Sequence, residues 1–440
     1  MPISRRRFLA GGAALVVGGI TTGCASSSRS TPLSERTRPD PRRPEGTDLL
    51  PQIAHVVVLM MENHSFDNHF GMLGRGDGFA IAGDGEPANT NPDGRGHHVR
   101  AFAMPSTCQL PSQPASDWFA AHRSWNRGAN DGFVTSPSGP VAMGYLTRAQ
   151  LPFYVGLAET FALCDRWFAP CLAGTFVNRR YLLAGTSLGA VRAPRNVTGE
   201  LPPSGTILDS LDRHGITWRN YYVDSPQLRV FPSLLDRKGD KIQRIDAFFA
   251  DAAKGTLPAV SLVDPDFEHT SEENPQDVRD GEEFAASVID AVVHSPTWPS
   301  TLLVWCYDEG GGYYDHVPPP PAAEPDGRQP DLAPGDPPGR FDRYGFRVPA
   351  VVVSPWSRPG FVSHTTHDHT SLLKMIERKW NLPSLTQRDA AATAVLECLD
   401  LDRVSFAAPP NLPAPAKAAA AAQCVPPGPA QFPPPSAVTT

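Results

Sequence analysis

Apolar residues along this chain fall into two kinds of run. Val56-Val57-Val58-Leu59-Met60 is continuous, with no polar residue to face water, as expected of a strand buried on both sides of a parallel sheet. Runs of this kind predict strands at 55–60, 259–263, 302–307 and 349–353. Other runs are periodic. Leu372, Leu373, Ile376 and Trp380 recur at helical spacing behind Asp368 and Thr370, either of which can cap, and predict a helix over 369–380. Further helices are predicted near 148–162, 177–185, 205–213 and 280–294. Strands alternate with helices, so the expected fold is α/β, a central mostly parallel sheet flanked by helices.

The residues just past the strand ends carry the chemistry. The first strand runs into Glu62 and Asn63, the third into Asp308 and Glu309 with three glycines behind them, and the second ends at Asp264. Open α/β sheets bind ligands just beyond the carboxyl ends of their strands. Glu62, Asn63, Asp308 and Glu309 form an all-oxygen set whose acids repel one another unless a divalent cation sits among them. Taken singly, each motif is equally well a solvated strand end.

Four separated motifs also carry a resemblance: ENHSFDNHFG, the TFVNRRYLLAGT run after Gly174, YDEGGGYYDHVPPP, and SPWSRPGFVSHTTHDHTSLLKMIE. In this order, over residues 52–385, they resemble the bacterial phosphoesterase family that contains the phosphocholine-type phospholipases C and an acid phosphatase. That family is alkaline phosphatase-like in fold. The resemblance implies one divalent metal ion, calcium or a first-row transition metal, held by Glu62, Asn63, Thr175, Asp308 and Glu309. Thr175 is the implied nucleophile, its hydroxyl activated by the cation and placed at a helix start where incoming anionic charge is stabilised. His122 and His316 are the implied acid or charge-neutralising groups, with His364 and His369 behind them. Asn63, Asn178, Arg179, His269 and Asn274 are expected to contact the phosphoester. One position departs from the pattern: Asn274 stands where many relatives carry histidine, and it cannot donate a proton as an acid would, so either His269 supplies that role or the substrate preference differs.

The expected substrate is a phosphoester, either a phospholipid met at a membrane surface or a phosphomonoester. Trp118, Phe119, Trp125 and Tyr313 could receive a choline head group by cation–π contact, or be core. Two other readings compete. Gly185-Thr186-Ser187-Leu188-Gly189 matches the elbow of serine esterases, which requires a strand before Ser187 and a helix after it. A surface lipoprotein could also keep the fold and bind phosphorylated ligands without turnover.

The N-terminus and the composition place this chemistry. Ser4-Arg5-Arg6-Arg7-Phe8-Leu9 ahead of a short apolar run reads as a twin-arginine signal, so export by that machinery is expected, to the periplasm, the cell surface or the medium. Thr21-Thr22-Gly23-Cys24 resembles a lipidation box with Thr21 where Leu is usual. A net charge of −7 argues against a nucleic-acid partner. The 48 prolines cluster at 31–51, 318–338 and 408–436, which sets the expected organisation: signal peptide 1–24, disordered linker 25–51, catalytic domain 52–406 and disordered tail 407–440. With Cys24 set apart, six of the seven cysteines remain for pairing, Cys164 with Cys171 being the first pair to test.

Overall fold

A computed structural model describes residues 38–108, 114–193, 200–417 and Cys424. The proposed signal and lipidation box lie outside the described residues. Among those described, eight strands form one sheet: β1 (His55–Met61), β2 (Ala162–Cys164), β3 (Trp218–Tyr222), β4 (Ile242–Arg244), β5 (Val260–Asp264), β6 (Thr301–Tyr307), β7 (Ala350–Val353) and β8 (Val362–Ser363), in the order β8-β2-β7-β6-β1-β5-β3-β4. Only β7 runs against its neighbours. The sheet is therefore mostly parallel, as the apolar runs predicted.

The central strands are those with continuous apolar runs. β6 is buried along its whole length and β1 from Val56 onward, because helices cover both faces of the sheet. Those helices include α1 (Phe66–Phe70), α2 (Trp118–Trp125), α3 (Pro152–Thr160), α4 (Thr175–Ala184), α5 (Ile207–Arg213), α6 (Ile245–Lys254), α7 (Val278–Val293) and α8 (His369–Trp380). α8 starts where the caps predicted, with the Asp368 side chain accepting from the Thr370 amide, and packs against α4. The helix expected over 148–162 is shorter: α3 stops at Thr160, and β2 begins at Ala162.

Two expectations about the periphery are corrected. Cys164 and Cys171 do not pair; Cys108 bonds Cys424, Cys164 lies 3.8 Å from Cys398, and Cys171 packs against Asn178. The ordered chain also reaches past both expected boundaries. Asn381 at the end of α8 donates to the carbonyls of Asp40, Arg43 and Pro44, and the Ala416 amide donates to Glu282 on α7. Residues 38–51 and 407–417 thus pack on the domain instead of hanging free.

Candidate active site

The site begins with strand register. β1 and β6 are parallel neighbours with Met61 opposite Tyr307, so the next residues, Glu62 and Asp308, emerge side by side. β5 flanks β1 on its other edge and ends at Asp264. Three adjacent strands therefore deliver three carboxylates to one end of the sheet. Asn63 and Asp308, 245 residues apart, are joined by a hydrogen bond from the Asn63 amide to Asp308 Oδ1 at 3.3 Å.

The DEGGG loop closes over this edge. Gly311, at φ +63°, lies so near Asn63 that a Cβ there would come within 1.8 Å of the Asn63 carbonyl oxygen. Only glycine fits that approach and that conformation. Glu309 is turned back by the Gly311 amide, which donates to its Oε2 at 2.8 Å.

Arg179 is the cation inside this cluster. It is fully buried on α4, with Nε donating to Asp308 Oδ2 at 2.9 Å and its other nitrogens 3.8 Å from Glu62 and from Asp264. One guanidinium faces three buried acids, with Glu309 as a fourth beyond it. Burial and the charge of Asp308 push the Glu62 and Glu309 carboxyls well above the ordinary carboxylate range, and burial raises Asp308 and takes Asp264 to about 6.

This excess of negative charge suits a divalent cation. Glu62 Oε2, Asn63 Oδ1 and Glu309 Oε1 are buried without a hydrogen-bond partner, and all three are hard oxygen donors. Their chemistry fits the expected metal. The carboxylates of Glu62, Asp308 and Glu309 do not all close to within 4.8 Å of one another, since the Arg179 side chain lies against two of them.

Thr175 completes the group. It is the first residue of α4, and Gly174 before it has no side chain to cap the helix, so the Thr175 and Phe176 amides are left without an intrahelical partner while that of Val177 donates to the Gly174 carbonyl. Burial raises the Asp308 carboxyl, and the neighbouring Thr175 side chain acts to lower it. Both Thr175 and Glu62 line a cavity of about 450 Å³ whose walls also include Arg179, Gln227, Phe267 and Glu273. α8 holds this arrangement from behind. His369 Nε2 donates to the Asp308 carbonyl at 2.8 Å, and burial takes its ring down to about 3, so it is a neutral structural support.

Several expected residues are placed elsewhere. Asn178 is a clamp for the turn before Thr175: its side chain accepts from the Cys171 amide and donates to the Ala173 carbonyl, so it is not open to substrate. His122 donates to the Trp118 carbonyl within α2 and lines a separate depression with Trp125 and Arg343. His316 donates to Asp67 at 2.7 Å and Asp77 at 3.2 Å in an ion network around Arg347. His269 is exposed and paired with Asp266, and Asn274 accepts from the Tyr313 hydroxyl. None of these five lines the cavity. Nor do Trp118, Phe119, Trp125 or Tyr313, the aromatics considered for choline. Ser187 follows a helix that ends at Ala184 instead of a strand, and among the described residues the next helix starts only at Ile207, so the arrangement of the esterase elbow is not found there.

Sequence reading missed Gln227, Arg229, Phe267 and Glu273 as cavity walls. They come from loops and one 3-10 turn, which carry no periodic signal, whereas the wall residues Glu62, Thr175 and Arg179 stand in motifs marked in advance.

The profile of the Phosphoesterase family matches residues 53–383. The chain is 33% identical to Phospholipase C B of Mycobacterium tuberculosis over 93% of its own length and 87% of that protein. It is 31% identical to Non-specific phospholipase C6 of Arabidopsis thaliana over 77% of this chain and 71% of that one. Against the Non-hemolytic phospholipase C of Pseudomonas aeruginosa it is 30% identical over 83% of this chain and 59% of the relative. A solved protein of the alkaline phosphatase superfamily from Vibrio parahaemolyticus matches 68% of this chain and 77% of its own at 14% identity and a TM-score of 0.37. The carboxylate-lined sheet edge, the helix-borne threonine, the family profile and the phospholipase relatives lead to one assignment: the chain belongs to the Phosphoesterase family.

Proposed function

We propose that this phosphoric ester hydrolase is an exported, metal-dependent enzyme of the phospholipase C type that cleaves a phosphodiester with Thr175 as nucleophile. The observation that carries the reading is the place of Thr175, at a helix N-terminus without a side-chain cap, lining the cavity and neighbouring Asp308.

The contacts assign the roles. Asp308, the neighbouring carboxylate, takes the proton of the Thr175 hydroxyl, while Arg179 keeps Asp308 and Glu62 in place. Phosphorus is attacked by Thr175 Oγ, and the amides of the first turn of α4 stabilise the charge that grows on the phosphoryl oxygens. The leaving alkoxide takes a proton from a water in the open cavity, and the hydroxide so formed hydrolyses the phospho-threonine, whose oxygen recovers its proton from Asp308. A divalent cation held by Glu62, Asn63, Asp308, Glu309 and Thr175 would lower the hydroxyl pKa and offset phosphoryl charge.

Export by the twin-arginine route is part of the proposal. Ser4–Leu9 motivates it, and the Cys108–Cys424 disulfide suits an oxidising compartment. A reporter fused to the N-terminal segment should reach the periplasm, and replacing Arg5 and Arg6 by lysine should hold it in the cytoplasm.

The catalytic test compares bis(p-nitrophenyl) phosphate with p-nitrophenyl phosphate, each with and without chelator. Faster turnover of the diester, lost on chelation and in Thr175→Ala, is the expected result. Preference for the monoester would favour a phosphatase, and full activity in Thr175→Ala would remove the threonine from the mechanism.

A further inference from the structure

The cavity in front of Thr175 has a wall that the threonine mechanism leaves unused. It is built by Gln227–Val230, a single 3-10 turn, together with Phe267. Gln227 is fully buried, its backbone amide is fixed by Asp264 Oδ2 at 2.8 Å, and neither Oε1 nor Nε2 of its side chain has a hydrogen-bond partner. A buried primary amide with both ends unpaired is costly, and it is relieved by a ligand that both donates and accepts, as a hydroxyl does. Arg229, two residues on, is exposed, stacks its guanidinium 4.5 Å from the centre of the Phe267 ring, and makes no salt bridge among the described residues.

The same wall is unsuited to a quaternary ammonium. Phe267 and Phe176 are the only aromatic side chains among the cavity-lining residues. Guanidiniums already engage both rings: Arg179 and Arg229 lie over Phe267 at 5.0 and 4.5 Å, and Arg180 lies over Phe176 at 4.5 Å. A ring so engaged meets a further cation with the repulsion of the guanidinium as well as the attraction of the π face. Of the acids at the mouth, Asp117 is committed to capping α2, and Glu273 already lies in the field of Arg229 and Arg179.

We propose that Gln227 and Arg229 form a head-group subsite that selects a polyhydroxylated, non-cationic alcohol on the substrate phosphate, glycerol or inositol in type, over choline. Gln227 exchanges hydrogen bonds with the alcohol's hydroxyls, and Arg229 donates to a hydroxyl or to an anionic substituent on it. This rests on the phosphodiesterase reading for its catalytic consequence, and on the cavity alone for binding.

Two measurements keep those apart. In mixed micelles the intact protein should hydrolyse phosphatidylglycerol with a kcat/KM on the order of 10-fold or more above that for phosphatidylcholine, the discrimination expected from one or two hydrogen bonds, one of them to a charged group. Gln227→Leu and Arg229→Ala should each pull that ratio toward one. By calorimetric titration, glycerol 3-phosphate should bind more tightly than phosphocholine, and the margin should shrink in both variants whether or not any ester is turned over. Failure to hydrolyse either lipid, with the binding preference intact, would sink the phospholipase reading and leave the subsite. Tighter binding of phosphocholine, or an unchanged margin in both variants, would overturn the subsite itself. Circular dichroism of each variant confirms that a lost margin is not lost folding.

Discussion

At the scale of single residues, the site is a charge imbalance held in place by Arg179. Removing that guanidinium leaves Asp308, Glu62 and Asp264 buried without their cation, which typically costs about 3–5 kcal/mol. Arg179→Met should therefore lower the denaturation midpoint as well as the rate; loss of rate alone, at full stability, would mean that Arg179 serves substrate and not the acid cluster. Added metal should act in the opposite direction. If Glu62, Asn63 and Glu309 bind a divalent cation in the folded state only, a concentration of 100 times its dissociation constant stabilises by about 2.7 kcal/mol. Titrating calcium, zinc and manganese against the melting temperature of chelator-treated protein reads this without any assay of activity, and no shift with any of them would remove the metal from the site. Glu62, Asn63 and Asp308 were legible in advance because each directly follows a strand visible as an apolar run. The surroundings of His122 and His316 were not legible for a physical reason: what faces a histidine ring is set by the fold, and sequence neighbours do not reveal that His316 faces Asp67.

At the scale of elements, two strand–loop units meet edge to edge, and their contact is intolerant of added volume. Gly311→Ala adds a Cβ against the Asn63 carbonyl at a positive φ, so overpacking and backbone strain together should cost at least about 2 kcal/mol and shift Asn63. Unchanged stability and rate in that variant would show that the DEGGG loop moves freely. The loop's far end predicts a pH dependence. Burial alone would lower the His316 pKa, but hydrogen bonding and charge from Asp67, with Asp315, raise it to about 9. A raised folded pKa gives stability that is fully present below the unfolded value of about 6.5 and is lost as pH rises through about 9, amounting to about 2–3 kcal/mol for this half-buried ring. Asp315 titrates at about 6, below that window. Urea midpoints from pH 6.5 to 9.5 should fall for the parent protein and flatten in His316→Gln; a flat parent curve would refute the charged pair. Elements were less evenly legible than residues. β2, β4 and β8 are two or three residues long, too short for any periodicity, and β3, Trp218-Arg219-Asn220-Tyr221-Tyr222, mixes polar with aromatic positions. The reversal of β7 is likewise invisible to a pattern of apolar residues, since direction resides in the connections.

At the scale of the whole molecule, the question is whether the C-terminal strap is part of the fold or only fastened to it. From Phe406 onward the chain runs over α3 and α7: its carbonyl accepts from Trp298 at 2.8 Å, Pro413 packs against Gly156, and the amide of Ala416 donates to Glu282 at 3.4 Å. Cys424 then bonds Cys108, 316 residues earlier. A crosslink enclosing so long a loop would stabilise by up to about 5 kcal/mol if strap and domain unfolded together. The strap's hydrogen bonds weaken toward its end, from 2.8 Å at Phe406 to 3.4 Å at Ala416 and 3.5 Å at Lys417, so it should detach before the domain opens and the crosslink should act mainly on the strap. Cys424→Ser is accordingly expected to lower the melting temperature by only a few degrees, corresponding to about 1–2 kcal/mol, while proteolysis between residues 407 and 424 accelerates at least about 10-fold. Mass spectrometry of the fragments locates the cut, and the melting curve is read on the same sample. A fall of more than about 10 °C with no new cleavage would mean the reverse, that the strap is a cooperative part of the domain and that the disulfide fastens the whole fold.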